Sequence, residues 1–191
     1  MVKFIKNSFG HLRNIIVHKY WVFHYCVQFG IPWRGLVHDL SKLHPTEFFE
    51  SVKYYQGTSS PIPVCKKING MSKSWQHHKG RNKHHYEYWT DNYDNGKITC
   101  HNIPFVYLME MIADWFAAGR TYKGKSFRIV DEIEWWREKR TNVNLAISEP
   151  TKTFIDMFMN DCEFFNDMNW VRDKHNHQVL KYRLEQLYEK R

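Results

Sequence analysis

Nine of the twelve histidines in this chain fall before residue 86, and four of those form two doublets, His77-His78 and His84-His85. Two carboxylates stand with them. Asp39 directly follows His38, and Asp114 sits in the otherwise apolar run Met111-Ile112-Ala113-Asp114-Trp115-Phe116. Neutral imidazole and carboxylate together make a ligand set for divalent first-row metals, and mixed N and O donors argue mildly against Mg²⁺ alone. On a helix, His38 and Asp39 would point about 100° apart, so both could reach one ion lying between them. Lys42, four residues after His38, would share its face and could meet a phosphate oxygen on the same ion. His77 with His84, and His78 with His85, are each seven apart, which is two helical turns and one face if Gly80 keeps the phase. A buried carboxylate such as Asp114 needs a metal, an arginine or a helix cap. Glu110 lies one turn before it on the same side and suits the role of acceptor for an imidazole N–H.

Each piece alone has a plainer reading. A histidine such as His18 on a mostly apolar helix is more often a satisfied core residue than a ligand. Asp114 could pair with Arg120 or Lys123, and an isolated His-Asp dipeptide carries little information. His101, His175 and His177 have no such context and read as surface or structural residues. The weight lies in the order His18, His38-Asp39, the two doublets, then Asp114, with every member on an expected helix.

The elements that must position these residues read as helical nearly throughout. Asn7 and Ser8 offer caps before a helix from His11 to Phe29, whose apolar positions recur at helical spacing. Gly30 stops it, and Pro32 opens a second helix running to about Leu43. His44-Pro45 breaks the chain before a third helix from Thr46 to about Tyr55. Residues 57–71, with two prolines, two glycines and several serines, read as a loop. A fourth helical stretch runs from Ser72 or Ser74 to Trp89 with a bend at Gly80. A turn follows at Asp91–Gly96. A fifth helix spans Pro104 to Ala118, closed by Gly119, and three more cover Phe127–Lys139, Pro150–Phe165 and Val171–Tyr188. No strand alternation, repeat or linker appears. The expected architecture is one all-α domain over residues 1–191, with a motif-bearing core at about 11–118 and further helices at 126–190.

Composition agrees. A chain of 191 residues buries roughly 70% of its unfolded surface, enough for a core without disulfides. Aromatic residues reach 17%. The four cysteines form no CxxC pair and read as free thiols in a reducing cytoplasm. No apolar run spans a bilayer, and basic residues and histidines interrupt any signal-peptide core, so a cytoplasmic location with no membrane partner is expected. Net charge is +8, which favours anionic partners. From Ser51 to Tyr86 there are seven basic residues and no acidic one, so this segment reads as a solvated basic face or a phosphate-facing surface. The aromatic last third, with Trp135-Trp136, Phe164-Phe165 and Trp170, could cap a pocket or form an interface between copies of the chain.

The order His18, His38-Asp39, His78 and His85, Asp114 resembles the HD-domain superfamily of metal-dependent phosphohydrolases. The run His38-Asp39-Leu40-Ser41-Lys42 is similar to one found in many of its members. More closely, Val37–Phe48 and Trp75–Trp89, ending in Asn82-Lys83-His84-His85-Tyr86-Glu87-Tyr88-Trp89, look like a small uncharacterised family of bacteria and phages. Its signatures are of HDLSK, NxHHxxYW and EMIxDW type, the last standing here as Glu110-Met111-Ile112-Ala113-Asp114-Trp115. The resemblance covers roughly residues 14–118 and implies an HD-like helical fold.

It also implies metal ligation by His18, His38, Asp39 and Asp114, with His78 and His85 holding a second ion and His84 the rival of His85. One or two ions of Mn, Fe, Zn or Mg would serve. The implied reaction is hydrolysis of a small phosphorylated substrate, a nucleotide above all. Asp39 or Asp114 would orient the nucleophile, Lys42 with Lys79, Arg81 and Asn82 would face the phosphate, and His77, or His85 if it is not a ligand, would protonate the leaving oxygen. Two alternatives stand beside this. One is a nucleic-acid-binding protein or nuclease using the basic 66–83 segment with Trp75, Tyr86 and Trp89. The other is a non-catalytic metal- or nucleotide-binding protein, and either could form a homo-oligomer.

Overall fold

The computed structural model describes residues 2–92 and 96–189. It is a single all-α domain, 74% helical. In chain order the helices are α1 (Val2–Gln28), α2 (Pro32–Val37), α3 (Pro45–Lys53), α4 (Pro61–Asn69), α5 (Lys73–Lys79), α6 (Phe105–Lys123), α7 (Ile129–Arg140), α8 (Glu149–Phe165) and α9 (Lys174–Glu189). One hairpin of three-residue strands, β1 (Thr90–Asn92) and β2 (Ile98–Cys100), pairs Thr90 with Cys100 and Asn92 with Ile98. It lies in the region expected to be a turn, of which residues 93–95 fall outside the described residues, as does residue 190 of the expected C-terminal segment.

α6 is the axis of the domain. Leu108, Met109, Met111, Ile112, Ala113, Phe116 and Ala117 are all buried, so the helix is apolar nearly all round and must be covered on every side. α1 covers one side through Val22, Tyr25 and Cys26. The aromatic last third covers another: Trp136 stacks on Trp115 with ring centres 5.5 Å apart, and Phe158 meets Phe29 at 5.6 Å. Each fully buried side chain of this kind contributes about 2–3 kcal/mol. Tyr188 of α9 closes the end by donating to the Ile103 carbonyl at 2.7 Å. α7, α8 and α9 build core, and none of the three lines the cavity described below.

Several elements differ from the sequence reading. Residues 61–69, expected as loop, are α4: Ser60 accepts the Ile62 N–H at 3.4 Å, Pro61 takes the first turn, and Gly70 closes the helix at φ 74°. Those are ordinary start and stop signals, masked by a short helix with few apolar positions. α1 begins at Val2, so Asn7 and Ser8 lie inside it rather than cap it. α6 runs through Gly119 to Lys123, and Gly119 serves packing instead of termination: it admits the Glu132 carboxyl where a Cβ would stand 2.0 Å from its Oε1.

The decisive difference is at His38-Asp39. The second helix stops at Val37, His38 is extended (φ −53°, ψ 131°), and Asp39 is left-handed (φ 52°) before a 3-10 turn at Leu40–Leu43. A non-glycine residue in that region costs about 1–2 kcal/mol, though aspartate tolerates it better than most. Lys19 of α1 compensates by donating to the carbonyls of Leu36 at 2.7 Å and His38 at 2.9 Å, which the broken helix leaves unpaired. Gly35 lets α2 lie against α1, since a Cβ there would come 2.8 Å from the Phe23 Cα and the Cys26 Cβ.

Candidate metal centre

α1 presents His18 on the same buried face as His11, Ile15 and Val22. From α6, Glu110 and Asp114, one turn apart, face it. Between them comes the break at His38-Asp39. His18 Nε2 lies 2.9 Å from Asp114 Oδ1, and His38 Nε2 lies 3.2 Å from Asp39 Oδ2 and 3.5 Å from Asp114 Oδ1. On its other oxygen, Asp39 Oδ1 is 3.3 Å from both His78 Nε2 and His84 Nε2.

These residues fall into overlapping groups able to hold an ion, with donor atoms within 4.8 Å of one another: His18, His38, Asp39 and Asp114; Asp39, His78, His84 and His85; and His38, His84 and Glu110. Asp39 is common to the first two groups. A four-coordinate ion with bonds near 2.1 Å holds its donors roughly 3.4 Å apart, which matches the spacings around Asp39. The buried polar atoms support the fit. Of the eleven buried side-chain N and O atoms without a hydrogen-bond partner among the described residues, seven belong here: His18 Nε2, His38 Nε2, both Asp39 oxygens, both His84 nitrogens and His85 Nε2. Two of the seven have a close ionic neighbour, His18 Nε2 in Asp114 and Asp39 Oδ2 in Lys42, and the other five, concentrated at one buried site, suit a cation.

A surrounding set of carboxylates orients the imidazoles. His38 Nδ1 donates to Glu110 Oε1 at 3.0 Å, and Arg34 Nε secures Glu110 Oε2 at 2.7 Å. His78 Nδ1 donates to Glu47 Oε2 at 2.7 Å. In both cases the bond fixes the orientation of the ring, so that Nε2 faces Asp39. Sequence reasoning picked out Glu110 but missed Glu47. The available signal was a carboxylate four residues before Ser51 on the buried face of α3. Glu50 positions α5 from the same helix, accepting from Ser72 Oγ at 2.6 Å and from the N–H groups of Ser74 and Lys73 at its start.

Charge follows from this packing. Burial would raise the Asp39 carboxyl, but His38, Lys42, His78 and His84 hold it well below the usual range. Asp114 is likewise held low against burial by His18 and His38, and Glu110 is brought down to about 2 by His38 and His84. Burial works against protonation of His78, yet Asp39 and Glu47 raise it to about 9. His18 and His85 are lowered, chiefly by burial, so both offer neutral nitrogens at pH 7.

A cavity of about 190 Å³ opens onto the cluster. His11, His18, Lys42, His78, His85 and Asp114 are among its polar lining, and Ile15, Trp75 and Tyr122 among its apolar lining. Lys42 Nζ lies 2.6 Å from Asp39 Oδ2. It reaches the site from the 3-10 turn, three residues after Asp39, and not along a helix shared with His38.

The predicted histidine ladder does not form on one helix. α5 ends at Lys79, and residues 80–85 fold back as irregular chain, carrying both His84 and His85 against His78 with ring centres 6.2 and 4.8 Å away. Asn82 holds that fold, donating to Ser41 Oγ at 2.9 Å and to the His78 carbonyl at 2.8 Å. Asn82, Lys79 and Arg81 all lie outside the cavity lining, and Arg81 is exposed, donating to the His77 carbonyl. His77 is also outside it, bonded to Glu47 and stacked on His44 with ring centres 4.4 Å apart. Trp75 turns into the cavity wall with Lys66 over its ring, and Trp89 donates to the Lys83 carbonyl. Asp114 pairs with neither Arg120, which lies over the Trp21 ring, nor Lys123, which pairs with Asp131. All four cysteines are free. Among the described residues, no helix is long and apolar enough to cross a membrane.

A family model described as "Family of unknown function (DUF5662)" matches residues 7–161. The chain belongs to this family. The DUF5662 match runs from α1 into α8 and includes every residue of the cluster and of the cavity. Neither the curated proteins nor the solved structures yield a match to the chain.

Proposed function

We propose that this protein is a metal-dependent phosphohydrolase acting on a small phosphorylated substrate, with a nucleotide as the leading class. The observation that carries the reading is Asp39, whose two oxygens face separate imidazole groups and Lys42, directly behind the His18, His78, Lys42 and Asp114 side chains that line a cavity. The resemblance of His38-Asp39-Leu40-Ser41-Lys42 to the HD-domain superfamily supports it, and four free cysteines suit a reducing cytoplasm.

His18, His38, Asp39 and Asp114 would hold one divalent ion, and Asp39, His78, His84 and His85 a second. A divalent ion there supplies Lewis acidity toward a phosphoryl oxygen and lowers the pKa of a water molecule. The chain's own residues do the rest. Lys42, kept charged by Asp39 and Asp114 despite burial, faces the negative charge that develops on the phosphoryl group. Glu110 and Glu47 keep the His38 and His78 rings in register. His85, held neutral, suits ligation better than proton donation. Ile15, Trp75 and Tyr122 narrow the space and limit water. A volume of about 190 Å³ corresponds to roughly six waters, so a phosphoryl group and part of its ester would fit inside with a base at the mouth.

The test is metal content of protein purified without chelator, measured by inductively coupled plasma mass spectrometry on wild type, His38→Ala and Asp114→Ala. Hydrolysis of a panel of nucleotides and phosphodiesters is then assayed with the bound metal. Near-stoichiometric Mn, Fe or Zn, lost together with hydrolysis in both variants, is the expected result. Wild type that stays metal-free after incubation with each ion would overturn the metal centre. A loaded protein that cleaves no phosphoester would leave only a metal-binding protein.

A further inference from the structure

The outer face of α1 is exposed along its length. Phe9, Leu12, Ile16, Tyr20, Phe23 and Val27 are exposed at intervals of three and four residues, which places them in one stripe. Among exposed residues from 9 to 27, Arg13 alone is charged. Beside the stripe, the exposed residues of 31–43 are Pro32, Trp33, Leu36, Leu40 and Leu43, every one apolar. The two segments adjoin, because Gly35 lies against Phe23 and Lys19 bonds the Leu36 carbonyl.

From this continuous face we infer that the protein is a homodimer, paired through α1 and the α2 segment of each copy. Area is the first reason. With roughly 200 Å² per aromatic side chain, Phe9 (71% exposed), Tyr20 (60%), Phe23 (39%) and Trp33 (68%) alone leave about 500 Å² open. The aliphatic neighbours bring the face to roughly the 800 Å² per partner that a stable interface takes, beyond the ~300–600 Å² patch of an ordinary monomer.

Charge is the second reason, and it separates a second copy from an anionic lipid surface. A membrane-binding face needs cations free to meet phosphate. Here Lys19 is spent on the Leu36 and His38 carbonyls, Arg34 on Glu110 and Lys42 on Asp39, which leaves Arg13 as the one charged side chain exposed between residues 9 and 27, too few for a basic lipid-binding face. What remains is an aromatic-rich centre depleted of charge, as in the core of an interface between copies. A straight stripe on one long helix is also self-complementary about a two-fold axis, which closes the assembly at two. His11, Ile15 and His18 lie on the opposite, buried face of α1, so pairing leaves the cavity open.

Sedimentation equilibrium at micromolar concentration tests this on wild type, on the double variant Ile16→Glu/Leu36→Glu and on Phe164→Glu. Both substituted face residues are exposed, so the variant should fold, and circular dichroism with metal content checks that it has. Phe164 is an exposed aromatic far along the chain on α8 and serves as the control. The expected masses are twice 23.3 kDa for wild type and the control, and 23.3 kDa for the double variant, whose dimer affinity falls by at least about 100-fold. A monomeric wild type, or a dimer that survives in the double variant, overturns the proposal. If the monomeric wild type floats with phosphatidylserine-containing vesicles and the double variant does not, the face belongs to a lipid surface instead.

Discussion

Glu132 ties the α6–α7 packing to pH. The residue is 8% exposed, and its carboxyl lies against Gly119 of α6, so closely that a Cβ there would overlap it. Lys123, the cation that would favour its ionisation, is engaged with Asp131 at 3.2 Å. Burial pushes the Glu132 pKa from an ordinary 4.5 up to about 7, with Lys123 opposing and Asp131 assisting. Below pH 4.5 the group is protonated in both the folded and unfolded chains and imposes no cost. As pH rises from 4.5 to 7, the unfolded chain releases its proton while the folded one keeps it, so stability falls. At 1.36 kcal/mol per pH unit, the rise from 4.5 to about 7 comes to about 3 kcal/mol, fully lost above pH 7. Glu132→Gln removes that loss while keeping the volume. The variant should therefore match wild type near pH 4.5 and exceed it by about 3 kcal/mol at pH 8, about 6–12 °C in Tm for a domain of this size. Urea unfolding of both proteins at the two pH values is the assay. A gap that is equal at both, or a glutamine variant weaker at pH 8, would refute the reasoning.

Glu110→Gln removes a fully buried charge that serves both His38 and Arg34. It should weaken metal binding by about 10–100-fold in a competition titration, and an unchanged affinity would mean that Glu110 does not orient His38. Gly35→Ala should cost about 1–3 kcal/mol in urea unfolding, because its methyl would press on the Phe23 backbone and force α2 off α1. Metal content should fall with it, since α2 leads into His38, and a fully loaded, equally stable variant would contradict this. Stripping a loaded protein with chelator should lower its stability by about 2.7 kcal/mol relative to protein held at a hundredfold excess of metal over Kd, read by thermal unfolding. No shift on chelation would mean that the folded cluster gains nothing from an ion.

The fold class and most helix positions were legible in the sequence, because apolar spacing of three and four and the Gly and Pro boundaries are local signals. The candidate ligands were legible for another reason. His18, His38-Asp39, the two doublets and Asp114 are residue types that a helical core accepts only with partners, so their excess in one half of the chain is itself a signal. α4 escaped notice because nine residues with few apolar positions carry almost no periodicity, despite a capping serine, an initial proline and a terminal glycine.

What only tertiary structure decided is how the ligands meet. The reading of His38 and Asp39 as neighbours on a helix fails because the chain breaks there, and that break depends on Lys19, nineteen residues before His38, bonding the freed carbonyls. Irregular chain at 80–85, held by Asn82 on Ser41, brings both His84 and His85 against the cluster, where a helix would have forced a choice between them. Glu47 gains its role only where α3 packs on α5 and sets its carboxylate against His77 and His78. Lys79 and Arg81 satisfied every local criterion for phosphate binding, yet they lie outside the cavity lining. Local spacing determines which residues share a helix face, whereas a metal centre joins faces of different helices, and their meeting is set by packing between residues far apart in the chain.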